Sequence, residues 1–179
     1  MANPTLTLIS SQTLGSSTAS VTFSSIPTSY NDLKLVASAR GDATGNSIGI
    51  NTKLNSDTAT NYSYTDIYAI QGVSLSSARA SSQTGDSELI SDGASSTASV
   101  FGVFEMYFPN YNSTGSKPYS SISIQENNVV NTGSNAFYVG AHLYRGASGI
   151  TSITLTAYST YLCNFVQYSN FYLYGIKNS

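Results

Sequence analysis

The chain has 179 residues, of which only 9% are charged, with a formal net charge of −2, one cysteine and one histidine. That length fits a single domain, residues 1–179, able to bury a core without disulfide or metal support. Seven scattered lysines and arginines cannot build the basic face that neutralising several phosphates requires, so nucleic acid is excluded as a partner. No apolar run approaches the roughly 18 residues of a spanning helix, which excludes a membrane partner.

An average soluble domain has roughly 25% charged residues. This surface must instead be built from Ser, Thr, Asn and Gly, with 14 tyrosines supplying amphipathic area. The first ten residues lack the basic region and sustained apolar core of a secretory signal, so synthesis in the cytoplasm is expected.

Taken in order, the chain reads as strands. Thr, Val, Ile, Tyr and Phe recur in alternation with polar residues, while strong helix formers are sparse. Residues 5–9 form a short apolar segment, followed by a Ser-rich turn. In 20–24, Val21 and Phe23 alternate with polar neighbours until Pro27, which cannot donate to a ladder, ends the run. Leu33, Leu35, Ala37 and Ala39 then alternate with Lys34, Ser38 and Arg40, with Val36 breaking the pattern. Ile48 and Ile50 open a further strand, and 61–70 is aromatic and extended.

From 71 to 99 Ser, Ala and Gly dominate, and the expectation is a long loop or loosely paired strands. Residues 100–108 are the most apolar piece, with the pattern of a strand covered on both faces. In 120–125, Ile122 and Ile124 point one way and Ser121, Ser123 and Gln125 the other. Strands follow in 136–144, around 153–157 and in 171–176. About ten to twelve strands at this spacing predict an all-β fold, a two-sheet antiparallel β-sandwich with jelly-roll connections. The first and last strands are expected side by side in one sheet.

Chemistry has little material. His142, the single histidine, sits where strand alternation explains it, and no G-x-S-x-G elbow accompanies it. Cys163 reads as a small buried apolar residue. A closed zinc site needs four ligands, which one His and one Cys do not supply. Asp86, Glu88 and Asp92 are the densest acidic group; they lack calcium-loop spacing and read as a solvated loop. Arg40-Gly41-Asp42 is ordinary turn chemistry at a strand end. The expectation is no catalytic, cofactor or metal site, and hence no enzyme.

Tyrosine is at once strand filler and good interface material, and both readings stay open for Tyr62, Tyr64, Tyr68, Tyr111 and Tyr119. Val129 and Val130 lie together in polar surroundings, the pattern of a small contact patch. Tyr111, Tyr119, Val129 and Val130 are the candidate interface residues.

Phe23, Pro27, Tyr30 and the stretch from Leu33 to Arg40 form a pattern that resembles the opening of a group of small virion proteins of tailed bacteriophages. Residues 108–123 (FPNYNSTGSKPYSSIS) are similar to the middle of the same group, and ITSITLTAYS with FYLYGIKNS to its carboxyl-terminal end. The resemblance implies a β-sandwich structural protein of a phage particle. A capsid decoration, or cement, protein would be made in the host cytoplasm and bound as a homotrimer to the major capsid protein on the virion surface. A tail or fibre module that binds a host receptor or carbohydrate is the alternative. The resemblance carries over no catalytic residue or cofactor.

Overall fold

The alternating pattern folds into twelve strands in the computed structural model, which describes residues 5–73, 75–128, 135–158 and 163–177. They are β1 (Leu6–Thr13), β2 (Ser20–Phe23), β3 (Asp32–Ala39), β4 (Ser47–Leu54), β5 (Tyr62–Ile70), β6 (Ser76–Gln83), β7 (Asp86–Asp92), β8 (Gly102–Phe108), β9 (Lys117–Gln125), β10 (Ala136–Tyr144), β11 (Ile153–Tyr158) and β12 (Asn170–Ile176). An eight-stranded sheet of order β1-β12-β3-β8-β9-β10-β5-β6 packs on a four-stranded sheet of order β2-β11-β4-β7. Every ladder within them is antiparallel. The fold is thus a two-sheet antiparallel sandwich, and most connections pass from one sheet to the other in the jelly-roll manner.

The first and last strands pair as expected, from Leu6 opposite Ile176 to Thr13 opposite Asn170. The break at Pro27 is where the chain leaves the small sheet after β2 and enters the large one at β3. Leu33, Leu35, Ala37 and Ala39 are buried, and Val36 sits on the outer face with Lys34 and Ser38. The core lies between the sheets. Phe104, Met106, Phe171 and Leu173 of the large sheet face Ile48, Ile50, Ile153 and Leu155 of the small one, each large side chain contributing about 2 kcal/mol of burial.

One expectation is decided and one corrected. Of the two readings for residues 71–99, the strands hold and the long loop does not, since the segment contains β6 and β7. Their Ser and Ala content hides them because pairing to β5 and β4, not intrinsic propensity, holds them extended. The apolar stretch 100–108 is covered on one face only: Phe104, Met106 and Phe108 are buried, while Val103 and Tyr107 remain 46% and 38% exposed. The small sheet covers one face of the large sheet, and no described residue covers the other.

Candidate functional site

β9 and β10 run against the usual rule of apolar in, polar out. Along β9 every inward residue but one is polar: Lys117, Ser121, Ser123 and Gln125 are buried with Tyr119, whereas Ile122 and Ile124 stand 36% and 45% exposed on the outer face. On β10, His142 and Tyr144 point inward and Phe137 and Val139 outward. A buried polar group is tolerated only when paired. The inward side chains therefore meet others of their kind, and two features result: a polar seam inside and an apolar face outside.

At the centre of the seam is His142. Its Nε2 lies 2.7 Å from Ser121 Oγ and its Nδ1 2.9 Å from Asp86 Oδ2 on β7. Tyr119 stacks on the imidazole at 4.9 Å and donates its hydroxyl to the same Asp86 oxygen at 2.7 Å. Asp66 on β5 brings a second carboxylate, 3.9 Å from His142 Nε2. Both Asp66 oxygens are buried without a hydrogen-bond donor among the described residues. Burial pushes the Asp66 carboxyl up to about 7; His142 opposes the rise, and the negative charges of Glu88 and Asp86 add to it. Gly140 makes the cluster possible, since a Cβ there would overlap His142 Nε2 and Asp66 Oδ1. The sequence singles out His142, Asp86 and Tyr119, each in a different reading, and does not bring them together. Ser121 and Asp86 come from strands 21 and 56 residues away, a convergence only tertiary pairing creates.

Serine, imidazole and carboxylate come together in the order of a nucleophile, base and orienter, but His142 Nδ1 makes no aligned hydrogen bond to Asp86 among the described residues. Access is what the arrangement lacks. The His142 side chain has 0% exposure and that of Asp86 2%, and Ser121 as a residue is 3% exposed. A depression of about 250 Å³ on the outer side is lined by Tyr64, Arg79, Leu143 and His142, but the His142 side chain has no exposed surface there. The cluster acts as a polar rivet between the sheets. Among the described residues no group of three His, Cys, Asp or Glu is placed to hold a metal ion.

The acidic group 86–92 is corrected accordingly. Asp86 and Asp92 are buried inside β7, and Glu88 is half-buried. Asp92 Oδ1 accepts from Asn127 Nδ2 at 3.3 Å. Arg40 is a loop organiser: its guanidinium donates to the carbonyls of Thr97, Val100, Ala94 and Ser96 at 2.7, 2.8, 3.2 and 2.9 Å. Asp42 accepts from the backbone and side chain of Asn164 at 2.7 and 2.8 Å. Partial burial pushes the Asp42 carboxyl up, and these hydrogen bonds outweigh it, leaving the group below its ordinary value. Cys163 is buried as expected, and burial raises its thiol.

The expected interface residues are also relocated. Tyr111 is 0% exposed and donates to the Pro27 carbonyl; Tyr119 is 4% exposed within the seam. Neither ring offers surface to a partner, because each hydroxyl serves an internal acceptor. Val129 and Val130 lie outside the described residues.

The exposed apolar surface is on the outer side of the large sheet. One row across the strands reads Tyr172, Val36, Glu105, Ile122, Val139, Ile67, and the next reads Ser38, Val103, Ile124, Phe137, Ala69. Ile67, Val103, Ile122, Ile124, Phe137 and Val139 are 36% to 53% exposed, and together they form one contiguous block. It runs into an open depression of about 530 Å³ bordered by Ile70, Val73, Ile124 and Phe137.

Fold and site thus define an all-β sandwich with a buried polar seam and an exposed apolar block on one sheet face. No protein-family model matches the chain, and no curated protein does. Among solved structures it is similar to the galectin LEC-6 of Caenorhabditis elegans, at 8% identity over 97% of this chain and 98% of that one, with a TM-score of 0.36. A likeness this distant transfers neither ligand nor partner.

Proposed function

We propose that the chain is a structural, non-enzymatic component of a bacteriophage particle: a decoration protein that binds the outer capsid surface as an oligomer and stabilises contacts of the major capsid protein. The observation that carries this reading is the apolar block on β5, β8, β9 and β10. Isolated exposed apolar residues are ordinary, whereas a contiguous patch on central strands marks a surface meant to be covered. The resemblance of residues 5–42 and 108–123 to phage virion proteins supplies the kind of assembly. The sealing of His142 and Ser121 from solvent favours a structural role over hydrolysis. A surface of uncharged polar residues suits many small contacts multiplied over a symmetric lattice.

The test is to add the purified protein to particles that lack it. Saturable binding at many copies per capsid, with slower loss of packaged DNA on heating, is expected. Binding at a few copies at the tail, or a specific hit on a glycan array, would replace this reading by a receptor-binding module.

A further inference from the structure

We propose that the outer face of the eight-stranded sheet is covered by a second copy of this chain, sheet against sheet, in a two-fold dimer. This deepens the assembly reading above and rests on it for the need of a cover. Three properties of the face select a second copy.

The first is extent. Six strands, from β12 to β5, at about 4.8 Å spacing, and four rows of outward residues at about 6.8 Å per row, span about 29 Å by about 27 Å. That is about 800 Å², the share of one partner in a stable interface of standard size. The face supplies a dimer contact without help from any loop.

The second is charge. The block of Ile67, Val103, Ile122, Ile124, Phe137 and Val139 contains no ionisable side chain. Of the charges beside it, Lys34 Nζ lies 2.8 Å from Glu105 Oε2, Asp32 accepts from the Tyr107 hydroxyl at 2.7 Å and from the Asn110 amide at 2.8 Å, and Arg79 of β6 and Glu126 stand at the margins. A face with no unmatched charge in its centre gives an acidic, basic or sugar-like partner nothing to pair with. Against an identical face it leaves no charge buried alone.

The third is shape. β-branched and aromatic residues in adjacent cross-strand rows form the ridged surface on which sheets stack about 10 Å apart. Ile122 and Val139, directly opposite one another on β9 and β10, lie at the middle of the block and near the two-fold axis. Such a contact is isologous and closes after two copies. The geometry therefore favours a dimer over the homotrimer that the resemblance implies.

Light scattering coupled to size exclusion, over a dilution series of the free protein, reads the outcome. The wild-type chain runs as a dimer. Val139→Asp raises the dimer dissociation constant by about 30-fold or more, the scale of an interface hot spot, while the melting profile of the monomer is retained. Lys53→Asp, on the outer side of the small sheet, leaves the dimer unchanged. Should Val139→Asp fail to fold, Val139→Cys provides the second reading: it forms an intermolecular disulfide on mild oxidation only if the two faces meet.

A wild-type monomer at all concentrations, a trimer, or a dimer indifferent to Val139→Asp overturns the proposal. A monomer whose capsid binding is abolished by Val139→Asp overturns it while leaving the assembly reading intact, since the capsid protein is then the cover. A dimer that does not bind capsids keeps this inference and removes the decoration function.

Discussion

Lys117 is a buried ammonium ion whose contacts among the described residues are carbonyl oxygens. Its Nζ donates to Ser113, Gly115 and Gly146 at 3.1, 2.8 and 2.7 Å, and it sits 5.4 Å from the centre of the Tyr144 ring. Burial pulls its pKa down, yet three acceptors match its three donors, so the cation ties the turn after β8 to the turn after β10. Tyr144 is fixed from the other side: burial first, then the hydrogen bond to Asp57, pushes its hydroxyl up to about 12. Replacing Lys117 with Met keeps the stem and removes the donors. The expected loss is about 3 kcal/mol in chemical denaturation, because the carbonyls lose a charged donor and stay partly buried. An unchanged midpoint would show that water serves them equally well. Arg40 acts in the same way on residues 94–100, and in neither case does the sequence show it. A lone Lys or Arg in a polar stretch reads as a solvated charge, and nothing local announces that carbonyls from distant turns surround it.

The strand is the scale at which the sequence is most and least informative. In β3 and β12 the alternating pattern and the buried face agree, because those strands cover the apolar small sheet. In β9 the period of two is equally plain, but the choice of face is reversed. Alternation identifies two faces and leaves open which is wet. What decides it is the partner across the core: β7 presents Asp86 to Tyr119 of β9 and His142 of β10, and Asp92 to Asn127 just past β9, so the polar face turns in. For β6 and β7 the sequence leaves loop and loosely paired strands both open for a different reason, since Ser-rich strands carry weak propensity and are held by their neighbours. The inversion of β10 depends on Gly140, beside which Asp66 and His142 approach too closely for any side chain. Gly140→Ala should therefore cost about 1–3 kcal/mol, the range for overpacking a filled site. Asp66→Gly in the same background should recover part of that loss by vacating the space. Full stability in Gly140→Ala alone would mean that the cluster is looser than its distances imply.

For the whole molecule, the seam sets how stability responds to pH. Asp66 carries a folded-state pKa of about 7 against an ordinary 3.8. A raised carboxyl contributes stability that is fully present below the unfolded value and lost as pH rises through the folded one. The groups around it are His142 and Tyr138 of β10, Tyr64 of β5, and Asp86 and Glu88 of β7. The carboxylates on this list oppose a further negative charge, and His142 moderates them. Asp57 and Asp42 act in the other direction: hydrogen bonds hold both below the ordinary value, so their contribution is present above about 3.8 and falls away in stronger acid. The stability maximum is then expected near about pH 4, where the Asp42 and Asp57 contributions are in place and that of Asp66 has only begun to fall, below the neutral optimum common for globular domains. Going from pH 5 to pH 8, the wild-type protein should lose on the order of 2 kcal/mol by urea denaturation. Asp66→Asn, which keeps the shape and cannot ionise, should show a flat profile across that window. Equal slopes for the two proteins would place the titrating group elsewhere in the seam. A flat wild-type profile would mean that Asp66 is already charged and stabilised by His142. In the mildly acidic window the folded-state Asp66 is neutral, so the rivet between the sheets holds one fewer buried negative charge.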